Sequence, residues 1–122
     1  MVVEDEAEVR EALREMFSSA GYEVAVAEDG YDAVEKAVSE DYDLITMDVR
    51  MPKLNGIRAT DILRERRPSV PVVIVSGYLG ADFKYRKALE AMGVRHFLEK
   101  PFSMAEAMSV IEKAMGQDGK AP

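Results

Sequence analysis

The sequence alternates, five times over, between a short apolar run and a longer segment with helical spacing. The runs are Met1–Val3, Val24–Ala27, Leu44–Met47, Val72–Val75 and His96–Leu98. They are brief, rich in β-branched residues and almost free of polar alternation, as strands covered on both faces are. Between them, apolar stripes fall on one helical face. They comprise Val9, Leu13, Met16 and Phe17; Ala33, Val34, Ala37 and Val38; Ile57, Ile62 and Leu63; Ala88, Leu89 and Met92; and Ala107, Met108, Ile111 and Met115. Gly21, Gly93 and Gly116 follow three of these segments, where glycine commonly ends a helix. Pro68 and Pro71 separate the third helix from the fourth strand, and Ser103 with Glu106 has capping-box spacing at the start of the last helix. Five βα units with short links predict a parallel α/β sheet with helices on both faces and right-handed crossovers.

With 122 residues the chain has the size of one domain, expected over residues 1–116, with a small polar tail at 117–122. The first strand is short, with three residues ahead of Glu4, and the natural chain is expected to begin a few residues earlier. Hydrophobic residues at 48% and charged residues at 32% suit a globular rather than a disordered chain. The absence of cysteine excludes disulfides and thiolate metal sites and is compatible with a cytoplasmic location. The formal net charge of -7 argues against direct nucleic-acid binding and favours cations or basic partner surfaces. No apolar run approaches the length of a membrane span, and the first residues do not resemble a signal peptide.

In an open parallel sheet, ligands bind beyond the carboxyl ends of the strands. The first strand ends in Glu4-Asp5-Glu6, the third in Asp48, the fourth in Ser76-Gly77 and the fifth in Glu99-Lys100-Pro101. Carboxylates brought together there repel one another unless a cation intervenes. Mg²⁺ suits such a site, because it takes one or two carboxylates, keeps several waters and bridges to phosphate. Zinc does not, with no Cys and His96 as the sole histidine. Lys100 supplies a fixed positive charge. Beside Mg²⁺ and Lys100, Asp48 is placed to be a carboxylate nucleophile toward phosphorus, with Ser76 able to bond a phosphoryl oxygen.

The segments Val-Val-Glu-Asp-Glu at 2–6, Met-Asp-Val-Arg-Met-Pro-Lys-Leu-Asn-Gly at 47–56, Ile-Val-Ser-Gly at 74–77 and Glu-Lys-Pro-Phe at 99–102 together resemble the response-regulator receiver family. The resemblance spans nearly the whole chain, in order and spacing. It implies a flavodoxin-like (βα)5 fold with strand order 2-1-3-4-5. It implies Mg²⁺, with Mn²⁺ as an alternative ion, held by Asp5, Asp48 and the backbone carbonyl of Arg50, with Glu4 acting through water. It implies that Asp48 accepts a phosphoryl group from a histidine kinase or a histidine phosphotransfer protein. Ser76 matches the family's switch hydroxyl, Phe97 its switch aromatic and Lys100 its lysine, and a cis Lys100–Pro101 bond is expected. Glu4 and Phe97 depart from the commoner Asp and Tyr. Arg50 and Tyr78 flank the site, where they are expected to slow loss of the phosphoryl group. The fourth helix, fifth strand and fifth helix would form the face that meets a downstream effector, and the chain would be a monomer or weak dimer. After Gly116 no periodic segment follows, so the sequence is either a stand-alone receiver or a piece of a larger regulator or hybrid kinase.

Blander readings exist for each motif. The acids at 4–6 could be the acidic first turn of a helix, Asp48 a turn former before Met51-Pro52, and Lys100-Pro101 an ordinary loop. Phe83, Lys84, Tyr85, Arg86 and Lys87 could be a solvated helix face, His96 a structural or exposed residue, and most methionines core filler, with Met104 and Met108 bordering an exposed face. A haloacid-dehalogenase-like phosphohydrolase would need an acid two residues after the nucleophile, where Arg50 stands. A flavodoxin-like flavin binder would need a phosphate-cradling first loop, not Glu4-Asp5-Glu6. A pseudo-receiver, an interaction module not governed by phosphorylation, is the remaining alternative.

Overall fold

The computed structural model describes residues 1–49, 55–77 and 83–117. The elements in chain order are β1 (Val2–Val3), α1 (Ala7–Ser19), β2 (Val26–Ala27), α2 (Gly30–Ser39), β3 (Ile45–Asp48), α3 (Gly56–Arg66), β4 (Val72–Ser76), α4 (Phe83–Ala91), β5 (His96–Glu99) and α5 (Met104–Glu112), followed by a π turn over Lys113–Gln117. The sheet order is β2-β1-β3-β4-β5 and every pairing is parallel, as expected. Of the expected tail 117–122, residues 118–122 lie outside the described residues.

Side-chain alternation along the strands divides the core into two layers. Val3, Ile45, Met47, Val72 and Ile74 face one side, against Ala33 and Ala37 of α2, Ala59 and Leu63 of α3 and Leu89 of α4. Val2, Val73, Val75 and Leu98 face the other, against Leu13 and Phe17 of α1 and Ala107 and Ile111 of α5. Both faces of the sheet are therefore covered, which is why its strands read as unbroken apolar runs. No helix among the described residues is long and apolar enough to cross a membrane.

Local chemistry fixes the helix ends. Ser103 Oγ accepts from the Glu106 N–H at 3.0 Å, and the Ser103 N–H donates to Glu106 Oε1 at 2.8 Å, completing the expected capping box. Asp29 and Asn55 cap α2 and α3 with their side chains, which accept from the Asp32 and Arg58 N–H groups. Two arginines bind the ends of helices together. Arg67 Nε and Nη2 donate to the Ala37 and Val38 carbonyls at 2.8 and 3.0 Å, at the end of α2, and its Nη1 pairs with Asp41 at 3.2 Å. Arg64 donates to the Met92 carbonyl at 3.3 Å, just past α4, and to Pro68 and Val70. Gly93 adopts φ 97°, and a Cβ there would stand 3.0 Å from Arg64 Nη2, so this position favours glycine twice over.

Three expectations are corrected. Val38 is 45% exposed and Ala88 is exposed, because each lies one residue from the buried line that Ala37 and Leu89 occupy, a rotation of about 100° toward solvent. Strand β2 begins at Val26 instead of Val24: Val2 pairs with Val26 and Val3 with Ala27, so Val24 and Ala25 lie beyond the paired residues of β1. Strand β3 is displaced one residue, ending on Asp48 itself.

Candidate phosphoacceptor and metal site

The register of three parallel strands assembles the site. Val3 pairs with Met47, so Glu4 and Asp48 come next on adjacent strands. Asp48 in turn pairs with Val75, and Ser76, the last residue of β4, pairs with Glu99. The Ser76 carbonyl accepts from the Lys100 N–H at 3.0 Å, which sets the start of the Lys100 side chain beside the same edge. The Lys100–Pro101 peptide is cis, as expected.

The polar groups there are withdrawn from water. Glu4 is 1% exposed, Ser76 2% and Asp48 6%. Carboxylate oxygens of Glu4, Asp5 and Asp48 lie within 4.8 Å of one another. Lys100 Nζ donates to Glu4 Oε1 at 3.2 Å, and the Glu6 N–H donates to Glu4 Oε2 at 3.3 Å. Burial acts to lower the Lys100 pKa, but the fields of Asp48 and Glu4 outweigh it and hold the ammonium above its ordinary value. One ammonium thus faces three carboxylates, a surplus of negative charge that a divalent cation would balance. Hard oxygen donors without sulfur or imidazole fit Mg²⁺ rather than zinc.

Glu4, Asp5, Asp48, Ser76 and Lys100 are gathered at one edge, as expected from sequence. Arg50 and Tyr78 lie outside the described residues. Phe97 sits one strand further out, half-buried, with the Arg86 guanidinium 4.3 Å from its ring centroid. Arg86 is thus half-buried against β5, whereas Lys87 is exposed; the side chains of Phe83 and Lys84 lie outside the described set. His96 is half-buried, and Met104, 47% exposed, borders solvent as expected.

Two contributors were not singled out by sequence. A Cβ on Gly56 would fall 2.0 Å from the Asp48 carbonyl oxygen and 2.8 Å from Val49 Cα, and the Gly56 N–H donates to the Val49 carbonyl at 3.0 Å. Only glycine lets the start of α3 sit on the backbone of the central acid. Its signal was the Asn-Gly pair closing the 47–56 segment. The other is Arg10, whose Nη1 donates to the Glu4 carbonyl at 2.9 Å.

The chain matches the family model for the response regulator receiver domain over residues 1–112. It belongs to that family. It is 37% identical over 118 residues to the chemotaxis protein CheY of Treponema pallidum, covering 94% of this chain and 81% of that one. It is 38% identical to the transcriptional regulatory protein PdtaR of Mycobacterium tuberculosis, covering 96% of this chain but 56% of that regulator. Among solved structures it is similar to the receiver domain of the sensor histidine kinase PA1611 from Pseudomonas aeruginosa PAO1, with a TM-score of 0.81 and 29% identity over 95% of this chain and 96% of that one. That receiver has a magnesium ion coordinated in its active-site cleft.

Proposed function

We propose that this receiver accepts a phosphoryl group on Asp48 in a Mg²⁺-dependent reaction and thereby switches a partner-binding face. The observation that carries this reading is the cluster of Glu4, Asp5 and Asp48 oxygens within 4.8 Å, with Lys100 as the cation paired to Glu4. Asp5 and Asp48, with the Arg50 carbonyl, would hold the ion, and Glu4 would act through water. When bound, Mg²⁺ supplies neutralising charge to the phosphoryl oxygens.

The donor is a phosphohistidine on a histidine kinase or phosphotransfer protein. An Asp48 carboxylate oxygen forms the new O–P bond as the P–N bond to the histidine breaks, and the released imidazole nitrogen takes a proton from water. Lys100 holds charge at the phosphoryl oxygens, and Ser76 donates its hydroxyl to one of them. Little of the surrounding backbone has to move, because Asp48 closes a strand paired on both sides. Arg50 and Tyr78 then set how long the acyl phosphate survives.

Phosphorylation turns the Asp48 carboxylate into an acyl phosphate carrying roughly two negative charges, a net gain of about one. Ser76 turns toward it, and Phe97 fills the space behind. Because Phe97 lies against Arg86, that movement reaches α4 as well as β5. The face of α4, β5 and α5 is therefore the effector surface, in a protein that works in the cytoplasm as a monomer or weak dimer. The decisive experiment is labelling by acetyl phosphate. The parent is expected to be labelled only with Mg²⁺ or Mn²⁺ present, and Asp48→Asn not at all. A folded parent that stays unlabelled would point instead to a pseudo-receiver.

A further inference from the structure

The three acids are not held alike. Glu4 is tied at both carboxylate oxygens, to Lys100 and to the Glu6 N–H. Asp48 belongs to a strand bonded on both edges. Asp5 lies past the end of β1 and before the start of α1, half-buried, and its carboxylate makes no hydrogen bond or ion pair among the described residues. The fixed part of its direction is therefore the Cα–Cβ bond, which its backbone sets.

That backbone has a side-chain tether. Arg10 Nη1 donates to the Glu4 carbonyl at 2.9 Å and reaches the Asp5 carbonyl at 3.4 Å. These carbonyls belong to the two successive peptide planes that flank the Asp5 Cα. Each plane is rigid, so holding both fixes φ and ψ at Asp5 and with them the direction of its Cβ. The Arg10 N–H itself donates to the Glu6 carbonyl at 2.9 Å, so the tether is anchored in the first turn of α1. Arg10 is half-buried and makes no ion pair among the described residues.

We propose that Arg10 is a positioning residue for the divalent cation: by holding the peptide planes on either side of Asp5 it aims the one otherwise untethered carboxylate into the site. This rests on the reading that the acids hold Mg²⁺. The sign of the effect is diagnostic. A guanidinium held on the Glu4 and Asp5 carbonyls adds positive charge near the site, so loss of its charge alone would tighten Mg²⁺ binding. Loss of positioning weakens it.

The test is calorimetric titration with Mg²⁺, without phosphodonor, on the parent, Arg10→Ala and Arg10→Lys, with thermal unfolding in chelator run alongside. Arg10→Ala is expected to weaken Mg²⁺ binding about tenfold, the low end of the cost of removing a metal site's outer partners. The Mg²⁺ concentration for half-maximal labelling should rise with it. Arg10→Lys should recover part of the loss, since an ammonium can still reach a carbonyl. Equal or tighter binding in folded Arg10→Ala overturns the proposal. Should that variant not fold, Arg10→Met, which keeps the apolar stem and removes every donor, is read by the same criterion. A parent that binds no Mg²⁺ overturns the metal reading too, whereas a parent that binds with variants unchanged overturns this one alone.

Discussion

The two edges of the sheet use cations differently. At the amino edge, Arg67 and Arg64 spend their donors on neutral backbone carbonyls in the last turn of α2 and just past α4, and the one carboxylate involved, Asp41, is exposed. The contacts staple helices together, and the buried Met1 ammonium at that edge likewise donates to a neutral carbonyl, that of Leu44, at 2.8 Å. At the carboxyl edge, Lys100 meets Glu4, which is 1% exposed, with Asp48 and Asp5 close by. Charge is buried there in excess of what the chain itself neutralises. Folding alone gives no return for that arrangement, because taking carboxylates out of water is costly. The contrast separates residues that hold the molecule together from residues gathered where the phosphoryl chemistry is proposed.

The comparison is most easily broken at Gly56. Gly56→Ala forces a Cβ onto the Asp48 carbonyl and Val49 Cα, backbone atoms that cannot swing aside as the end of a flexible side chain would. Expected losses are about 4 kcal/mol of stability, beyond the usual overpacking range, and acetyl phosphate labelling with it. Denaturant unfolding and labelling measured together check both, and a near-parental Gly56→Ala would show that α3 can retreat from β3 without cost.

Lys100→Met leaves Glu4 buried without its cation. The expected cost is about 3 kcal/mol in chelator, as for breaking a buried pair on one side. Mg²⁺ should restore part of it by supplying the missing charge, seen as a larger Mg²⁺-induced rise in Tm than in the parent. Arg67→Ala removes three contacts and should cost about 1–2 kcal/mol, with labelling retained. Loss of labelling in a folded Arg67→Ala would erase the distinction between the two edges.

The smallest effect is with pH. The folded-state pKa of Lys100 is raised above its unfolded value. Its contribution to stability is therefore fully present below the ordinary lysine range, near pH 10.5, and is lost as pH rises through the higher folded value. Unfolding free energy measured from pH 7 to 11 should show a decline at the top of that range that Lys100→Met lacks.

Much of this was legible in the chain. Strands covered on both faces have no polar alternation, so the five runs stood out, and the turn chemistry at Ser103 and Gly93 marked helix ends by local conformation alone. The acids, Ser76 and Lys100 were legible because each closes a strand. Val38 and Ala88 were misplaced because apolar identity does not fix rotation about a helix axis when small residues such as Ala37 do the packing. Strand β2 was overextended because a strand's length depends on its neighbour, here β1. Arg10 was silent because it acts through a long side chain on two carbonyls, a backbone contact that leaves no pattern in residue types. Gly56, which acts through having no side chain at all, left only the Asn-Gly pair as its signal.

The parallel register carries one more consequence. Lys100 and Glu4, 96 residues apart, meet because each is counted from its own strand and not along the chain. Lengthening a connection at the amino edge leaves those counts untouched. One residue inserted between Val2 and Glu4 changes them at once, exchanging the two faces of β1 and carrying Glu4 away from Asp48. Drift in length is thus harmless across much of the molecule and intolerable over a few residues, and the cheapest way to silence this receiver while preserving its composition is a single slip in its shortest central strand.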